Sequence, residues 1–111
     1  MVAGGHPTDA DREQASLPVL LEVIRASRAC DPAALAGLYR DDVTWLADGG
    51  TVAGAGAAVA HHMEIAQRAQ GWDEPQQQGA RAALRWSGSD GTRGAIVVEV
   101  RSGRIVFAAV A

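Results

Sequence analysis

Two histidines, one aspartate at a turn and a handful of aromatic residues are the groups of this 111-residue chain that can do chemistry. His61 and His62 are neighbours, and adjacent helix positions point about 100° apart, so only one of them can face a core. Val59, Met63 and Ala66 mark the apolar side of that segment, and His62 falls with them. An imidazole in a pocket, with an ordinary pKa of about 6.5, can act as acid or base at neutral pH. The same residue can instead be a half-buried helix histidine without a role. A vicinal pair cannot chelate and no third ligand accompanies it, so no metal is expected. Asp48 stands before Gly49 and Gly50. It is either a general base turned into a pocket or a turn residue that caps its own backbone.

Composition removes several other chemistries. Charged residues make up 21% of the chain and apolar residues 48%, which suits one globular domain with a single core. A net charge of −3 supplies no basic stripe, so no nucleic-acid partner is expected. Every cation is an arginine, which excludes a Schiff-base lysine. Cys30, the only cysteine, fits a small core residue and can form no internal disulfide. The opening MVAGGHPTDADREQ lacks the apolar run of a signal peptide, and no window approaches the roughly 18 apolar residues of a membrane span. The expectation is a cytoplasmic protein with no membrane partner and no cofactor.

Residues 1–16 carry Gly, Pro and Asp without periodicity and are expected to form a flexible N-terminal arm, leaving 17–111 as a single domain. The helical pattern begins at Leu17, with Pro18 in the first turn. A second helix is expected through Ala33 to Tyr39, with Asp31 as its cap and Pro32 at its first position. Val43–Ala47 is a strand, Val52–Gly56 a short extended piece, and Ala57–Gln70 a third helix stopped by Gly71. Trp72 to Gln78 is a connection, in which Trp72 is a lid or a surface anchor. Three strands follow, Ala80–Ser87, Thr92–Arg101 and Arg104–Ala111, joined by hairpin turns. Glu99 should pair at the surface with Arg81, Arg85 or Arg101. Ile96, Val98 and Val100 face one way and Val97 the other; Ile105, Phe107 and Ala109 alternate with Val106, Ala108 and Val110. Both faces are therefore apolar, and something must cover the second one. A homodimer through the outer sheet face, burying Val97, Val106, Ala108 or Val110, would do so.

The segments DP–L–LYRDDVTW, the glycine entering the third helix, and VEVRSGRIV together resemble the nuclear-transport-factor-2-like superfamily over residues 17–110. That superfamily includes ketosteroid isomerase and the SnoaL-like polyketide cyclases. The resemblance implies an α+β fold: a cone-shaped, curved antiparallel sheet wrapped around about three N-terminal helices, a cystatin-like roll. It also implies one apolar pocket, walled here by Val23, Tyr39, Trp45, Ala47, Met63, Trp86 and Ile96, with Asp48 and His62 as the catalytic candidates. The positions of the isomerase tyrosine, general base and late aspartate fall at Val23, Ala47 and Ile96, all apolar, and Asp48 lies one place beyond the base. The implied function is binding of an apolar polyketide- or steroid-like small molecule, with cofactor-free isomerisation, cyclisation or epoxide opening if the protein is an enzyme. VTWLADGGTVAGA with VVEVRSGRIV is also similar to the SnoaL-like domain of extracytoplasmic-function sigma factors, which implies a non-catalytic ligand-binding, regulatory or dimerisation module. The number of polar groups converging in the cone separates the two readings.

Overall fold

The computed structural model describes residues 8–111. Its first helix, α1 (Asp9–Arg28), is set by a reciprocal box: the Asp11 N–H donates to Thr8 Oγ1, and the Thr8 N–H donates to the Asp11 carboxylate, each at 3.1 Å. Such a cap contributes about 1 kcal/mol. The helix therefore starts eight residues before Leu17, and positions 9–16 of the expected arm are helical; positions 1–7 lie outside the described residues. Pro18 sits inside α1 instead of in its first turn, and Ser16, which falls in the expected arm, is buried within the helix. Tertiary contacts hold the early turns. The Gly79 N–H donates to Glu13 Oε2 at 2.8 Å, and Gln77 Nε2 donates to the Glu13 carbonyl at 2.7 Å.

In α2 (Pro32–Leu38) Asp31 Oδ1 accepts the Ala34 N–H, and the proline occupies the first turn, as expected. Tyr39 does not end this helix; it opens β1 (Tyr39–Ala47). The chain continues through β2 (Gly50–Ala53), α3 (Ala55–Arg68), β3 (Ala69–Trp72), β4 (Gln76–Gln78), β5 (Arg81–Gly88), β6 (Arg93–Arg101) and β7 (Arg104–Val110). The stretch expected as a plain connection thus carries two short edge strands, both paired with β5. Strand order is β2-β1-β7-β6-β5-β3. The β1–β7 pairing is parallel, so the sheet is mixed and not wholly antiparallel. Three helices against this curved, unclosed sheet make an α+β cone.

Leu20, Val23 and Leu35 from the helices meet Val43, Trp45, Leu84, Ile96 and Val98 from the sheet in one core. Simple alternation fails in β7. Val100 pairs with Ile105 but Glu99 pairs with Phe107, so Val106 is an extra residue in a bulge. The phase flips there: Ile105 and Ala108 both point inward and are fully buried, whereas Phe107 and Ala109 join Val97 on the outer face. Ala108 is thus unavailable to any partner across the sheet. No helix of the described residues is long and apolar enough to cross a membrane.

Candidate functional site

Three elements converge on His62. α3 carries it into the core with no exposed surface, while His61 stays half-exposed and stacks on the Trp45 indole at 5.8 Å and 16°. Tyr39, the first residue of β1, places its hydroxyl 2.7 Å from His62 Nδ1. Ser27, in the last turn of α1, places Oγ 2.7 Å from Nε2. Trp72 of β3 lies parallel to the imidazole at 6.0 Å and 22°, so it is a core residue and neither a lid nor a surface anchor.

The protons of this relay have one consistent arrangement. Ser27 Oγ donates to the Val23 carbonyl at 2.7 Å, the i−4 bond a helical serine can make. Its single proton being used, it accepts from His62 Nε2–H. Nδ1 is then the acceptor, and the Tyr39 hydroxyl donates to it. Burial pushes the His62 pKa down to about 4, which keeps the ring neutral. Burial pushes the Tyr39 hydroxyl well above its usual range, so it stays protonated. Both imidazole nitrogens are occupied by protein, and in this arrangement neither has a lone pair or proton left for a substrate.

The other expected site residues are dispersed. Asp48 is exposed in the turn between β1 and β2, with His62 buried in the core. Val23, Tyr39, Trp45 and Ile96 are fully buried core, and Ala47 and Met63 pack at its margin. Trp86 is buried beneath the Arg68 guanidinium, which lies 5.5 Å from its ring centre. Clefts of 260–500 Å³ indent the described surface, and Trp86 lines two of them, beside β5–β6 and beside the end of α3. Glu99 makes the surface pairing expected of it, 2.6 Å from Arg101 and 3.2 Å from Arg81. Arg101, with Arg81, holds its carboxyl below the usual range. Ser27 was not singled out by the sequence, because one hydroxyl near a helix end carries no pattern. Two buried indole nitrogens, Trp45 Nε1 and Trp86 Nε1, have no hydrogen-bond partner among the described residues. No group of three or more potential metal ligands assembles there either.

No family model and no curated protein matches the sequence. Solved structures do. An NTF2-like protein of unknown function from Mesorhizobium loti superposes with a TM-score of 0.74 at 29% identity, over 95% of this chain and 94% of that one. The fold is that of the NTF2-like superfamily. Another NTF2-like protein of unknown function, from Burkholderia xenovorans, gives a TM-score of 0.70 at 23% identity, covering 90% of this chain and 84% of its own. A candidate polyketide cyclase from Sinorhizobium meliloti gives 0.69 at 18% identity, covering 85% and 94%. Within this NTF2-like cone, the Tyr39–His62–Ser27 relay and the indoles around it lie beneath the sheet.

Proposed function

We propose that this protein is a non-catalytic NTF2-like module that associates with a second copy of itself through the outer face of its sheet. The observation that carries this reading is the closed hydrogen bonding of His62. The one buried imidazole among the described residues is committed at Nδ1 to Tyr39 and at Nε2 to Ser27, and Asp48 is out in solvent. A general acid or base must reach the proton it moves. Apolar surface lies instead on the outer face, where Leu46 is 42% exposed and Phe107, Ala109 and Val97 are only partly covered. Thr44 pairs with Phe107 and Leu46 with Ala109, so these side chains form one continuous patch across β1, β7 and β6. A stable symmetric interface of this kind buries about 800 Å² per partner.

Sedimentation equilibrium tests the reading directly. The wild-type chain is expected to be a dimer at tens of micromolar, and Phe107→Asp a folded monomer. A monomeric wild-type chain would overturn the association. Turnover of a β,γ-unsaturated ketone that disappears in His62→Gln would overturn the non-catalytic assignment.

One observation favours a second reading, binding of an apolar small molecule inside the cone. Trp45 Nε1 is a buried donor without an acceptor, close to the His62 ring. A ligand carbonyl would satisfy it.

A further inference from the structure

One row of side chains crosses the outer face of the sheet without a charge. Leu46 of β1 pairs with Ala109 of β7, Ala109 with Val97 of β6, and Val97 with Ala83 of β5, so the four stand in line across the strands. The row on one side holds Glu99 and Arg81, and the row on the other holds Arg85. Charged side chains are depleted at the centre of protein interfaces, so the uncharged row is where a face-to-face contact centres.

Along that row the side chains are unequal in size. Leu46, at one end, is 42% exposed. Ala83, at the other end, is a single methyl group and only partly exposed. The surface over Ala83 and Val97 is hollow: a cleft of 430 Å³ lies there, edged by Gln76, Gln78 and Arg81. Three strand spacings separate Leu46 from Ala83, roughly 14 Å, so Leu46 cannot fill the cleft of its own chain. A second copy can bring a leucine to it.

In a two-fold dimer each contact of one residue with another is matched by the reverse contact. An axis along the strands, between β7 and β6, sets Leu46 over the partner's Ala83 and Ala109 over the partner's Val97. Larger then meets smaller at every step. An axis along the row instead sets Leu46 against the partner's Leu46 and leaves the cleft over each Ala83 empty.

We infer that the two copies are related by an axis along the strands, with each Leu46 seated in the cleft over the partner's Ala83. This inference rests on the self-association proposed above and names the contact through which the two faces fit.

Exchanging the two sizes tests it by sedimentation equilibrium. Leu46→Ala empties the seat and Ala83→Leu fills it from within, so each variant is expected to dimerise at least roughly tenfold more weakly than wild type. Leu46→Ala/Ala83→Leu again opposes large to small and should recover most of the wild-type affinity. An equal mixture of the two single variants should form a heterodimer at concentrations where each alone is monomeric, because both of its contacts then match. A double variant no tighter than the single ones would overturn the inference. So would a mixture that behaves as the sum of its parts, or Ala83→Leu dimerising like wild type. Both positions lie on the outer face, and far-ultraviolet circular dichroism equal to wild type confirms that each variant folds. If wild type dimerises and Phe107→Asp dissociates it while the size exchange fails, the association stands and this register falls. A monomeric wild type removes both.

Discussion

The Tyr39 hydroxyl lies 2.7 Å from His62 Nδ1, joining the first residue of β1 to the middle of α3 inside the core. With Ser27 on the opposite nitrogen, the imidazole ties α1, α3 and the sheet together through groups that are all satisfied. A satisfied polar network of this sort specifies one packing arrangement, and breaking one member leaves an orphaned buried atom.

Tyr39→Phe removes the donor and keeps the ring. Nδ1 is then a buried acceptor without a partner, so the variant should lose about 1–3 kcal/mol. Urea unfolding should show a lower midpoint with an unchanged slope.

The network also makes stability depend on pH. His62 has a folded pKa of about 4, below its ordinary value of 6.5, so between these limits the unfolded chain binds the proton and the folded chain does not. Stability from this group is complete above about pH 6.5, declines as the pH falls, and is gone below about pH 4, a loss on the order of 3 kcal/mol. Denaturant titrations across this window should lose that component of their slope in His62→Gln.

Gly94 is predicted to resist substitution. An added Cβ would meet Trp86 Cε2 and Nε1 at 2.8 Å, and the indole must move from its buried seat. Gly94→Ala should destabilise by about 1–3 kcal/mol and alter the near-ultraviolet circular dichroism of Trp86.

Asp48→Asn should leave stability within about 0.5 kcal/mol of wild type, since the side chain is exposed at a turn. Thermal unfolding checks this. A large loss would mean that the carboxylate has a partner that the exposed turn does not show.

Thr8→Ala should cost about 1 kcal/mol and raise amide exchange in residues 9–16, because the capping box starts α1. Exchange in α3 should be unaffected.

Local chemistry was legible in the sequence wherever short-range rules decide the structure. Asp31-Pro32 marked the start of α2, and Ser102-Gly103 formed a hairpin turn with positive φ at both residues. The phase of Val59, Met63 and Ala66 put His62 and not His61 inside. The order of helices and strands was enough to suggest the cone. What the sequence could not disclose depends on residues distant along the chain. The start of α1 looked like an arm because Gly5, Pro7 and Pro18 obscure the period, yet Thr8 caps it and Glu13 is held by Gln77 and Gly79. The bulge at Val106 reverses the faces of β7, and a one-residue register change carries no mark in an apolar strand. Most consequentially, His62 could be read as acid, base or bystander until Tyr39 and Ser27, 23 and 35 residues away, were seen to occupy both its nitrogens. Side-chain type says which hydrogen bonds a residue can make; only the tertiary structure decides whether protein or ligand makes them.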